Sequence, residues 1–323
     1  MISSDTSKIM RTIAIILVLI SHFAGWMYVD ATWLILKTQL SYIGPVGVDI
    51  FFAMSGYGLV KSAAKNAQVT GKNGITWQFV FKRILTVYCP YILVVGIIYL
   101  LDGTFAEADG WTIIHYLTGR DYWFMCVLFM MYIAFMLIWR IGKCRHLLIT
   151  LFVAGLSAYL YHLRMKDFWQ LSNASFLLGI YAASIESKCS LVVKKVTHVI
   201  TLAIGLIGTA FTSIMIYLIR KDNPVGGFEV RMVLNVFVTI TFLALAYLMK
   251  NAKSGKFGLL GKNTLFVYLL NAPIFWPLMM KLENIGYVAA SCITAAVTVA
   301  AGVLIGELYS YVTDKIYEKC MKR

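Results

Sequence analysis

Ile9-Met10-Arg11-Thr12-Ile13-Ala14-Ile15-Ile16-Leu17-Val18-Leu19-Ile20-Ser21-His22-Phe23-Ala24-Gly25-Trp26-Met27-Tyr28 is the stretch whose reading decides the fold. At about 1.5 Å per helical residue, a run of this length crosses a hydrocarbon layer of about 30 Å. A cleaved signal peptide has a shorter, uniformly apolar centre and a small-residue exit. Here Ser21 and His22 interrupt the apolar run and no A-x-A exit follows, so the stretch reads as a retained membrane span. Nine further runs of similar character follow at 43–60, 84–101, 122–139, 146–162, 168–185, 196–219, 232–249, 264–280 and 287–309. The pattern predicts an all-α, polytopic membrane bundle of about ten helices.

Composition agrees with that reading. The chain has 323 residues, of which 60% are hydrophobic and 14% charged, against roughly 25% charged in soluble domains. A soluble enzyme of this length is excluded. The net charge is +14, but the basic residues fall in short clusters between apolar runs and form no basic face for nucleic acid. The six cysteines show neither CxxC nor metal-ligand spacing, so no disulfide framework and no metal site are expected. No linker or internal repeat appears, and one membrane domain is expected to fill 1–323 without an appended soluble domain.

Orientation follows from the distribution of lysine and arginine. With the N-terminus in the cytosol, 21 of the 29 basic residues fall in cytosolic segments. The loops at 65–73 and 250–255 are then inside, those at 105–110 and 222–227 outside, and both termini cytosolic. The outer loop after the third run is acidic, with Asp102, Glu107 and Asp109.

Ionisable groups within a span are costly and usually face a cavity or a partner. His22 and Asp49 are the deepest, whereas Glu307 falls near a span end. Arg11 and His22 are eleven residues apart, which returns to nearly the same helix face and separates them by roughly 16 Å along the axis. A guanidinium at the mouth suits phosphate, and a deeper imidazole suits proton transfer near neutrality. Asp49 is the candidate to orient or charge-balance that imidazole, or else to join two helices. Ser55 is a poor nucleophile candidate, because Tyr57 stands where a G-x-S-x-G elbow needs a small residue. His115, His146, His162 and His198 fall at span ends or loops. Gly302-x3-Gly306 is a small-residue stripe on which a homodimer could pack.

Three motifs in order carry a resemblance: Arg11-x10-His22, then Gly47-Val48-Asp49-Ile50-Phe51-Phe52-Ala53-Met54-Ser55-Gly56-Tyr57, then Phe81-Lys82-Arg83 leading to Pro90-Tyr91. Tyr122-Trp123-Phe124 and Leu260-Gly261-Lys262-Asn263-Thr264-Leu265 with Tyr268 add a looser match. The chain resembles the membrane-bound acyltransferase-3 family, whose members acylate cell-surface sugars, lipids and polysaccharides. The late span has Asn271 where members often carry a histidine, and Leu85 and Thr86 stand where members often carry further basic residues.

The resemblance implies an O-acyltransferase of a bacterial inner or cytoplasmic membrane, with no tightly bound cofactor. Acyl-CoA, and acetyl-CoA in particular, would be the co-substrate, and a glycan or lipid-linked sugar the acceptor. It makes His22 essential for transfer and links Arg11 to the donor. Lys82 and Arg83 would join Arg11 around the phosphates. Ser55, Gly56, Tyr57, Trp123 and Asn271 are expected to pack near the site, behind the catalytic His22 and Asp49. Direct attack by the acceptor hydroxyl and passage through a His22-linked acyl intermediate both fit these residues. The rival class is a transporter or flippase of a sugar or lipid intermediate, which would need neither the Arg11–His22 face nor CoA.

Overall fold

The computed structural model describes residues 2–26, 37, 40, 43–70, 73–186, 191–222 and 227–321, with the side chains of 191–195, 220–222, 283 and 317–321 left out. Among these residues every regular element is helical. The helices are α1 (Ser4–Trp26), α2 (Gly44–Thr70), α3 (Trp77–Arg83), α4 (Cys89–Leu101), α5 (Gly110–Thr118), α6 (Trp123–Ile141), α7 (Arg145–His162), α8 (Asn173–Glu186), α9 (Leu191–Asp222), α10 (Phe228–Leu248), α11 (Phe257–Lys262), α12 (Thr264–Lys281) and α13 (Tyr287–Met321). A π-helical turn, Ile84–Tyr88, joins α3 to α4.

Among the described residues, helix occupies most of each of the ten apolar runs. Seven of these helices are long and apolar enough to cross a membrane: α1, the α3–α4 unit, α6, Val196–Ile219 of α9, α10, α12 and Tyr287–Ile316 of α13. The chain is a multi-pass membrane protein. The sixth run departs from expectation, since α8 begins at Asn173 rather than at 168 and has only 14 residues. Asp167–Trp169 closes as a 3-10 turn instead, and the N–H groups of Gln170 and Leu171 both donate to Asp167 O. Ser172 and Asn173 favour such turns because short polar side chains compete with helical backbone bonds. Most of the loop at 222–227 lies outside the described residues, as do Met27, Tyr28, Lys72, Lys188, Cys189, Lys322 and Arg323.

The π-turn has an identifiable cause. Pro90 has no N–H, so a regular α-helix would lose a bond there. Cys89 N–H instead reaches five residues back to Ile84 O. Leu85 O is then without a donor at either i+4 or i+5. The Tyr309 hydroxyl on α13 donates to it at 2.7 Å, which satisfies the freed carbonyl and ties the two helices together.

α2 is central, packing on α1, α8 and α10. Its crossing with α8 is close enough to require glycine from both sides. A Cβ on Gly56 would meet Phe176 O, and one on Gly179 would meet Ala53 O. Phe52, Ile50 and Leu59 bury around this crossing. The periphery is apolar and exposed: Ile204, Ile207, Phe211 and Leu218 on α9 face outward, as lipid-facing residues do. The Gly302-x3-Gly306 stripe is not open to a second copy of the chain. Gly302 lies against Val267 and Gly306 against Asn263, both on or at the start of α12, so the stripe serves the α12–α13 contact within the chain.

Candidate active site

α1 is unbroken from Ser4 to Trp26, so Arg11 and His22 do share a face at the separation helix geometry gives. His22 lies nearer the C-terminal end than the middle, because the midpoint of this helix falls at Ile15. A cavity of about 290 Å³ opens beside the half-buried imidazole. Gly44, Pro45 and Val48 at the start of α2 form one wall, and Trp123 at the start of α6 another. Phe168, Leu171 and Ser172, from the turn before α8, close a third side, and Tyr268 of α12 lines it as well. Phe168 packs on Trp123 with ring centroids 5.1 Å apart.

The ring of His22 makes one hydrogen bond among the described residues. Its Nδ1 is 2.5 Å from Asn271 Nδ2 on α12, and Trp26 lies beside the ring at 5.0 Å. An amide offers either N–H or C=O after a half-turn about its last bond. With its carbonyl toward His22, Asn271 accepts from Nδ1–H and leaves the Nε2 lone pair free to take a proton. Asn271 Oδ1 is buried and makes no other bond among the described residues.

Asp49 does something else. It is fully buried, and its Oδ1 accepts from Ser175 Oγ at 2.8 Å, while Oδ2 has no hydrogen-bond partner among the described residues. Ser175 Oγ also lies 2.8 Å from Thr239 Oγ1 on α10. The carboxylate therefore joins α2 to α8 and α10, and the group behind His22 is Asn271. This corrects the expectation that Asp49 orients the imidazole.

The remaining candidates separate into two places. Arg11 is half-buried, its Nε donating to Ser7 O at 3.3 Å. Arg83 lies in a groove that Tyr132 of α6 also lines. Arg83 lies over the Phe79 ring at 5.1 Å and has a buried Nε without a hydrogen-bond partner among the described residues. Lys82 is exposed. Gly56 and Tyr57 are not at the His22 cavity: Gly56 serves the crossing with α8, and the Tyr57 hydroxyl donates to Glu186 at 2.8 Å and accepts from Ile2 N–H. Ser55 is half-buried and does not line the His22 cavity.

A family model described as an acyltransferase domain matches residues 7–307. The chain belongs to the acyltransferase-3 family. This acyltransferase is thus an enzyme that transfers groups other than amino-acyl groups. Comparison with the curated proteins and with the solved structures finds no match to it.

Sequence reasoning missed the wall contributed by Phe168, Leu171 and Ser172. The polar cluster Ser172-Asn173-Ser175 within a nominal span was the available signal. The direct contact between Asn271 and His22 was also missed, although an amide in an apolar helix marks such a contact. Replacing Asn271 by Leu should lower turnover by about a hundredfold, since freeing a catalytic ring by an ångström costs that much. Asn271→Asp, which can still accept from Nδ1–H, should retain most of the rate. Steady-state assays of both purified variants decide it, and unaltered turnover in Asn271→Leu would remove the amide from the mechanism.

Proposed function

We propose that this acyltransferase moves an acyl group, acetyl by its family resemblance, from cytosolic acyl-CoA to a hydroxyl of an exported or cell-surface polysaccharide, glycolipid or related glycan. In this reading ten helices cross a bacterial inner membrane with both termini in the cytosol, as the bias of basic residues favours. The observation that carries the reading is the α1 face, with Arg11 toward one end of the helix and His22 in a cavity toward the other. Donor phosphates and acceptor hydroxyl can then approach from opposite sides.

The donor enters at Arg11, with Lys82 and Arg83 at the same end, and its thioester arm runs inward past Tyr132. Guanidinium groups bond phosphate oxygens with short, charge-assisted contacts, and the unpartnered Arg83 Nε is a donor in search of one. In the His22 cavity the acceptor hydroxyl gives its proton to Nε2 as its oxygen attacks the thioester carbonyl. The O–C bond forms, the C–S bond breaks, and the leaving thiolate takes the proton from the imidazolium. The products are an ester and free CoA. Trp123 and Phe168 close over the cavity and limit access of water, which would otherwise compete as acceptor.

Arg11→Ala and Arg83→Ala should each weaken donor binding by roughly ten- to a hundredfold, the equivalent of one lost charged hydrogen bond at about 1.5–3 kcal/mol. Calorimetric titration of detergent-purified protein with CoA measures this directly. Full affinity in both variants would remove the arginines from the donor site and with them the proposed direction of transfer.

A further inference from the structure

A second cavity adjoins the first and has no part in the mechanism above. It is an open cleft of about 480 Å³ between α7, α8 and α10, with Val153, Ala154, Leu177 and Met232 on its apolar walls. Gln170 lines it, although the residue is only 2% exposed, and the Gln170 Oε1 has no hydrogen-bond partner among the described residues. A buried amide oxygen left without a donor is costly, so such groups ordinarily have a partner. Tyr161 and Phe228 form an aromatic wall, their rings stacked with centroids 5.8 Å apart. Ser157 and the exposed Glu229 complete the polar lining.

The chemistry of these groups narrows the ligand. The cavity is lined by a carboxylate and by no lysine or arginine, which is wrong for a phosphate or any other anion. Gln170 Oε1 and Glu229 are acceptors and need donors such as sugar hydroxyls. Stacked aromatic rings offer an apolar face to the C–H side of a pyranose. Location adds the decisive point. Phe168, Leu171 and Ser172 line the His22 cavity, while Gln170, in the middle of the same turn, lines this one. With successive Cα atoms 3.8 Å apart, the two linings are at most about 8 Å from each other along the chain. The turn is anchored by the ion pair of Asp167 with Arg231 of α10.

We propose that this second cavity is a glycan subsite, holding a neutral sugar residue next to the one acylated at His22, so that the enzyme prefers an oligomeric acceptor over a monosaccharide. The inference rests on the glycan-acceptor reading above and deepens it. Tyr161 and Glu229 carry the subsite at the surface, and Gln170 carries it at depth.

The test uses the full-length protein in lipid nanodiscs with radiolabelled acetyl-CoA and an array of neutral glycans of one to six sugars. Wild type should acetylate chains of two or more sugars with kcat/KM at least tenfold above that for single sugars. Tyr161→Ala and Glu229→Gln alter exposed side chains and should lose that length preference while keeping the single-sugar rate. Equal use of single sugars and oligomers by wild type, or an intact length preference in both variants, would overturn the subsite and leave the acyltransferase reading standing. A photoreactive phospholipid cross-linked at Tyr161 and displaced by no glycan would overturn it in favour of a lipid chain. CoA release with no glycan acetylated would overturn the glycan acceptor, and the subsite with it. No CoA release at all would overturn the donor assignment as well.

Discussion

His22→Ala should abolish acyl transfer while leaving a folded protein. Loss of a positioned general base costs typically 10²–10⁴-fold in rate, and no other imidazole lines the cavity to replace it. The fold should tolerate the change, because His22 is only half-buried and makes one hydrogen bond among the described residues, to the Asn271 amide. Thermal stability and elution from size exclusion report the folded state, and CoA release reports turnover. A base also predicts that wild-type activity declines as the pH drops through the titration of the imidazole, since a protonated ring cannot take the acceptor's proton. A well-folded His22→Ala protein with wild-type turnover would end the mechanism.

The second large effect is structural. Gly56→Val and Gly179→Val should each remove most of the folded protein. In both cases the new Cβ meets the backbone carbonyl of the opposing helix. Over-packing usually costs about 1–3 kcal/mol and more where nothing can yield, and two helix backbones cannot change rotamer. The same crossing aligns Asp49 with Ser175, so its loss also disrupts the buried polar link among α2, α8 and α10. Gly58 and Gly155 provide controls, since nothing lies within 4 Å of a Cβ at either position. Gly58→Ala and Gly155→Ala should express and elute like wild type. Normal yields of Gly56→Val would show that the helices can separate at this point without penalty.

Most of the architecture is legible from hydropathy alone, because a membrane imposes one rule on each span: an apolar run of sufficient length that bonds its own backbone. That rule is local, and it placed a helix on every run. It fails where polarity is local too. The sixth run contains enough apolar residues to count, yet Ser172 and Asn173 divert its start into a turn, and the residues released there become a wall of the site. The π-turn is similar: Pro90 signals a break, but only α13 packed alongside brings the Tyr309 hydroxyl to the carbonyl that the break exposes.

The candidate site divides along the same line. By itself the sequence determined the membrane class, the helix that bears Arg11 and His22, and the face they share, since each depends only on helical periodicity within one segment. Only the tertiary structure decided which groups stand behind those residues. Asp49, on the next helix, was the expected partner for the imidazole, whereas the partner found, Asn271, lies 249 positions away in sequence. The glycine-to-backbone contacts between α2 and α8 draw the carboxylate toward Ser175, and the packing of α12 on α1 carries the amide to His22. Hydrogen bonds reach about 3 Å, so the partner is chosen by how helices cross, and a crossing is a property of two surfaces that no single segment encodes.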